Sequence, residues 1–137
     1  MEDILRVMSK FVAMLRGIGP GNLNMTAQKF RTFFEKLSFT DVQVVLSSGN
    51  IIFDSPSDIS EALAELIEKA LPNKLGFSRS AIVRSQSELQ KLIDQDPFQG
   101  IEQNHNKGSY LLVTFFRRPT AIPFSFPFSQ TANHTPY

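Results

Sequence analysis

Three glycines stand close together in Leu15-Arg16-Gly17-Ile18-Gly19-Pro20-Gly21-Asn22-Leu23-Asn24. Glycine adopts backbone angles closed to other residues and lets a ligand approach the main chain. A strand, a glycine loop and a helix start in that order can present backbone N–H groups to an anion. In that reading Gly17, Gly19 and Gly21 form the cradle. Arg16 supplies a counter-charge, and Asn22 or Asn24 adds polar contacts. The same stretch also reads as a plain strand-to-helix turn, because Pro20-Gly21 suits the centre of a type II turn. It matches neither the P-loop, which needs Lys then Ser or Thr after the last glycine, nor the dinucleotide spacing. No cofactor is therefore expected. A second polar group follows at Ser47-Ser48-Gly49-Asn50. Ser48 and Asn50 could add a hydroxyl and an amide beside the glycine loop, although Gly-Asn is also ordinary hairpin-turn chemistry.

Other reactive side chains are sparse. The 137 residues include no Cys and two His, at 105 and 134. Thiolate chemistry is excluded, and a metal site is not expected. His105 lies in a polar stretch with no positioned partner for general base work. Arg84 reads as a surface charge that could pair with a carboxylate or bind an anion. Glu61, Glu65 and Glu68 read as the wet face of a helix. No nucleophile or general base is identifiable, so no catalytic residue is assigned.

The surrounding pattern says what must position these groups. Phe11 to Leu15 is a continuous apolar run ending at glycine, the mark of a buried strand. Thr26 is a plausible N-cap, and Phe30, Phe33, Phe34 and Leu37 give a helical apolar stripe. Val42 to Leu46 and Ile51 to Phe53 read as two strands of an antiparallel hairpin. Asp58 with Glu61 suggests a capping box opening a helix through Leu63, Leu66, Ile67 and Ala70, which Pro72 stops near Leu71. Ala81 to Val83 is a fourth strand. Ser85 and Glu88 form another capping box, opening a short helix that ends at Asp96-Pro97. Tyr110 to Phe116 reads as a fifth strand. Beyond it, Ile122-Pro123-Phe124-Ser125-Phe126-Pro127-Phe128 is too rich in proline for a helix or a central strand.

The order up to Val83 is strand-helix-strand-strand-helix-strand. It predicts an α+β protein built on a ferredoxin-like β-α-β-β-α-β unit with an antiparallel sheet. A short helix, a fifth strand and an irregular tail follow. The expected divisions are an extension over 1–9, the folded domain over 10–116 and a Phe/Pro-rich tail over 117–137.

One consequence concerns the sheet. Its first strand is apolar on both faces, with Phe11, Ala13 and Leu15 on one and Val12 and Met14 on the other. Two helices cover one face only. The other needs a cover, since large exposed apolar patches mark interfaces or aggregation. The fifth strand, the Phe/Pro tail or a second copy of the chain could supply it, so self-association is expected.

Composition narrows the rest. Hydrophobic residues are 42% and charged residues 20%, an ordinary globular balance. Thirteen Phe against two Tyr and no Trp point to aromatics used for core packing. A net charge of +1 gives no general attraction to nucleic acid or anionic membrane. No apolar run approaches the roughly 20 residues of a membrane span. A cytoplasmic location is expected.

Ala13-Met14-Leu15-Arg16-Gly17-Ile18, Leu37-Ser38-Phe39-Thr40-Asp41-Val42 and Ser48-Gly49-Asn50-Ile51-Ile52-Phe53 together resemble a largely bacterial family, domain of unknown function 1697. Weaker echoes are Val83-Arg84-Ser85 and Asp96-Pro97-Phe98. The resemblance runs from about Phe11 to Phe116. It implies two related ferredoxin-like halves and no established activity, substrate or cofactor. The chain departs from the pattern in two places. Its loop Gly19-Pro20-Gly21-Asn22-Leu23-Asn24 is short and lacks the Lys or Arg that many relatives carry. Relatives also continue into a second half where this chain has its Phe/Pro tail, so it looks truncated, with Met1 to Val7 as an upstream extension.

Three functional readings follow. The first is a noncatalytic small-ligand-binding or interaction domain using the glycine loop and the open sheet face. The second is an enzyme acting on a small anionic substrate, phosphorylated or carboxylated. The third is an RNA-binding module of the same topology, with bases stacked on the first and third strands, where Phe11 and Phe53 fall. The missing basic-Gly-aromatic run and the near-neutral charge argue against that reading.

Overall fold

The computed structural model describes residues 8–17, 26–45, 49–57, 59–101 and 112–118. Its elements are β1 (Ser9–Leu15), α1 (Ala27–Lys36), β2 (Thr40–Val45), β3 (Asn50–Ser55), α2 (Ser60–Leu75), β4 (Ala81–Ser85) and α3 (Gln86–Asp94). The four strands form one sheet in the order β2-β3-β1-β4, and every neighbouring pair is antiparallel. This is the ferredoxin-like unit expected from the pattern, with β1 in the interior of the sheet. Phe11 faces Phe53 on one side and Ser85 on the other.

Alternation along the strands divides the sheet into two faces. Phe11, Ala13, Leu15, Ile51, Phe53, Ala81 and Val83 are buried against α1 and α2. Their partners include Phe30, Phe33 and Phe34 of α1 and Leu63, Ile67 and Leu71 of α2. The phenylalanines interlock at the centre. The Phe53 ring stacks on Phe39 at 4.3 Å and lies 5.4 Å from Phe34 and 5.8 Å from Phe11. Such aromatic pairs add about 0.5–1.5 kcal/mol each beyond burial of their area.

The helix ends follow local chemistry, in part differently from expectation. Thr26 caps α1 by accepting a hydrogen bond from the Lys29 amide at 3.2 Å. Ser85 and Glu88 form the capping box of α3. At α2, Ile59 occupies the N-cap without a side-chain bond, and Asp58, the expected cap, lies outside the described residues. Pro72 does not stop α2, which continues to Leu75. A proline so near the C-terminus forfeits one helical hydrogen bond, while Leu71 is fully buried and Leu75 packs on the core. The stop is Gly76, at φ +81°, whose amide reaches the Leu71 and Pro72 carbonyls. The apolar stripe of α2 is also rotated, burying Ala64 and Leu71 and leaving Leu66 exposed.

The expected fifth strand is a further difference. Leu112 to Phe116 has no strand ladder, and Tyr110 and Leu111 lie outside the described residues. This segment is held by side chains instead: Arg84 Nη2 donates to the Phe116 carbonyl at 2.7 Å, and the Arg84 guanidinium lies over the Phe115 ring at 5.5 Å. Of the expected tail, only Arg117 and Arg118 are described. No helix among the described residues is long and apolar enough to cross a membrane.

Phe53 packs against the rings of Phe11, Phe34 and Phe39. Phe53→Ala is expected to lower the unfolding free energy by about 3–5 kcal/mol. Urea denaturation followed by circular dichroism measures it, and a loss under 1 kcal/mol would contradict the packing described.

Candidate functional site

The first sequence-predicted group lies at the end of the sheet where β1 stops. The Leu15 amide donates to the Gly49 carbonyl at 3.2 Å, so the end of β1 and the turn before β3 meet directly. Arg16 is exposed and Asn50 half-buried. Gly17 and Gly49 have φ of +77° and +69°, which favour glycine over any residue with a Cβ. Gly19, Gly21, Asn22, Asn24 and Ser48 lie outside the described residues. The structure thus brings Arg16, Gly17 and Asn50 to one end of the sheet.

Arg79 joins them. A Cβ built on Gly17 would lie 3.4 Å from Arg79 Nε. The guanidinium donates to the Ser78 carbonyl at 2.7 Å and sits over the Phe77 ring at 5.3 Å. The sequence reading missed Arg79, yet register could have found it. Leu15 pairs with Ala81 in an antiparallel ladder, so two steps further Gly17 comes opposite residue 79.

The second group is the sheet face turned away from α1 and α2. Val12 and Met14 of β1 and Ile52 of β3 lie there, half-buried, with Val45 of the edge strand exposed. Among the described residues, two covers come down on it. One is α3, which contacts β1 and β4 and brings Leu89; the other is Phe115. Between these walls runs an apolar groove of about 400 Å³, floored by Val12, Met14 and Ile52. Asn50 lies at its rim, which joins the turn before β3 to the open face. Lys10 and Gln86 also reach it. The Lys10 ammonium is already neutralised, at 2.8 Å from Asp54 and 3.0 Å from Asp41. Those contacts, Asp54 first, raise its pKa above the ordinary lysine value.

The same face bears on the RNA reading. Phe11 and Phe53 are 1% and 0% exposed and lie under the helices, so neither can stack on a base. The open face instead presents aliphatic side chains.

Phe115 is held at the groove by an ionic clamp. Arg117 Nε and Nη2 donate to the two oxygens of Glu68 at 2.7 and 2.9 Å, while Nη1 reaches Glu61 at 2.6 Å. Glu68 also accepts the Ala81 amide at 2.9 Å, tying the start of β4 into the network. Arg84, taken as a surface charge, and Glu61 and Glu68, taken as a wet face, are therefore structural. Their helical spacing of seven had already placed both glutamates on one face. The Arg117 guanidinium holds both carboxyls below the ordinary carboxylate range. Among the described residues no group of three or more His, Cys, Asp or Glu could hold a metal ion.

The sign of the clamp's pH dependence follows. Folded carboxyl pKa values lie below the ordinary 4.5, so the stabilisation is complete above that value and fades as pH falls through the folded values. Arg117→Met is expected to be less stable than the unmutated chain at pH 7, with the gap closing below about pH 4. Thermal unfolding across pH checks this, and a pH-independent gap would contradict it.

Comparisons with known proteins agree with the fold. Among curated proteins no sequence matches this chain. A solved structure of a conserved bacterial protein from Streptococcus pneumoniae superposes with a TM-score of 0.58 at 23% identity, covering 71% of this chain and 54% of that one. The chain thus spans about half the length of that protein, and the likeness extends to the fold alone. A family described as protein of unknown function (DUF1697) matches residues 8–127, most of the sequence and every element described above. The chain belongs to that family.

Proposed function

We propose that this domain binds a small amphipathic molecule, uncharged where it contacts the sheet, in the groove between α3, Phe115 and the open face. The observation that carries the reading is the groove itself, an apolar floor of Val12, Met14 and Ile52 with Asn50 and Gln86 at its margin. Its volume of about 400 Å³ falls in the range of small-ligand sites, which are mainly apolar with a few orienting polar groups. The margin offers amide donors and acceptors. Lys10, the one cation lining it among the described residues, is engaged by two aspartates. Binding without catalysis is the simplest reading, because among the described residues none of the groove's side chains forms a nucleophile–base pair.

The walls also bear on what occupies the groove. Leu89 and Phe115 stand above the strands, so a flat sheet from a second copy meets them before it reaches Ile52. Phe115, from the segment expected as a fifth strand, takes part of the covering role that this segment, the Phe/Pro tail or a second copy was expected to fill. A small molecule fits between Leu89 and Phe115 without moving either.

N-phenyl-1-naphthylamine, a neutral apolar fluorophore, tests the reading. Its emission is expected to rise with saturable binding, and Ile52→Thr and Val12→Thr to weaken it about five-fold or more each, by loss of apolar contact. Both changes keep a β-branched residue in the strand, so the fold persists. Sedimentation should show a monomer. No saturable signal, unchanged affinity in both variants, or a dimer that excludes the dye would overturn the assignment.

A further inference from the structure

The groove on the open sheet face has two ends of unlike charge. At one end the Lys10 ammonium lies between Asp54 at 2.8 Å and Asp41 at 3.0 Å, two carboxylates against one cation. At the other end β1 stops at Leu15 and the exposed Arg16 follows. We propose that the groove takes a small aliphatic carboxylic acid, with its tail on Val12, Met14 and Ile52 and its carboxylate at Asn50 and Arg16. This names the ligand class of the groove and rests on the binding reading given above.

Strand register brings Arg16 to that end. Lys10, Val12 and Met14 alternate along β1 and line the groove. Met14 pairs with Asn50 at the rim. The ladder still holds one residue later, where the Leu15 amide donates to the Gly49 carbonyl at 3.2 Å. Arg16 is thus two residues past a groove residue, so its Cα lies within about 7 Å of that of Met14. An arginine side chain covers such a gap, with its stem along apolar surface and its guanidinium in water. Arg79 adds a second guanidinium at the same end, its Nε 3.4 Å from a Cβ built on Gly17.

The two ends set a direction. Lys10 and Met14 are four residues apart, about 13 Å along an extended strand. Over that length the local charge passes from the Asp41 and Asp54 side to the two arginines. An anionic head group is attracted to one end and repelled from the other. An exposed arginine alone is an ordinary surface charge. Arg16 differs in its place, next to an apolar groove of about 400 Å³ whose far end carries two carboxylates. A carboxylate suits this end because its two coplanar oxygens match the guanidinium fork. The Asn50 amide supplies a further donor for the same head group.

Octanoate, octan-1-ol and octylamine share one tail and differ in head group. Each is titrated against bound N-phenyl-1-naphthylamine at pH 7 and 50 mM salt. Octanoate is expected to displace the fluorophore at a concentration at least five-fold lower than either of the others. Raising salt to 300 mM should narrow that gap. Arg16→Gln should bring octanoate and octanol within two-fold of each other, and Arg16→Glu should reverse the order in favour of octylamine. A reversal of sign is not what a merely structural role for Arg16 would produce. In amide NMR, octanoate should shift Arg16 and the Asn50 side chain, and octanol should not. If the fluorophore does not bind, both readings fall. If it binds and the three amphiphiles compete equally, or the octanoate preference survives in both Arg16 variants, or octanoate alone shifts Lys10 instead, the groove reading stands and the carboxylate assignment is overturned.

Discussion

The structure depends on β1 being apolar on both faces at an interior position of the sheet. Phe11, Ala13 and Leu15 face α1 and α2, while Val12 and Met14 face the other way. A strand of this kind requires a layer on each side, because each exposed large aliphatic side chain forgoes about 1.5–3 kcal/mol of burial. One layer comes from the two crossover helices and is complete. The other comes from α3 and Phe115 and leaves a groove. The contrast between the faces is what makes one a core and the other a candidate binding surface.

Polar contacts hold that second layer in place. The capping box of Ser85 and Glu88 starts α3 directly at the end of β4, with no loop between them. The helix is thereby turned back onto the sheet, where Leu89 reaches the groove. Phe115 is placed from the opposite direction by Arg84, which contacts both its ring and the next carbonyl, and by Arg117 on Glu61 and Glu68. Bidentate guanidinium–carboxylate pairs of this kind fix geometry as well as adding energy. An unladdered segment can therefore occupy a defined position beside a sheet edge.

Much of the fold was legible because the apolar periods change cleanly. The short apolar runs Phe11 to Leu15 and Ile51 to Phe53, bounded by glycine turns, fit buried strands, the spacing of Phe30, Phe33 and Phe34 fits a helix, and the element order then restricts the topology. Helix ends were less legible. Pro72 reads as a stop, but tertiary burial of Leu71 and Leu75 carries α2 past it to Gly76. The segment through Phe115 has the composition of a strand, and its β-branched and aromatic residues fit side-chain packing as well as a ladder. Arg16, Gly17 and Asn50 were singled out by residue type, and they lie together at one end of the sheet. Arg79 and the Arg117 clamp depend on pairings distant in sequence, which residue type alone does not reveal.

The central claim is that the open sheet face receives a ligand while the helix-covered face does not. Methyl-resolved NMR during titration with N-phenyl-1-naphthylamine tests it most directly. The account predicts saturable shifts at the Met14 and Ile52 methyls, with those of Ile67 and Leu71 in the core unmoved. Shifts confined to core methyls, or none at Met14 and Ile52, would contradict it.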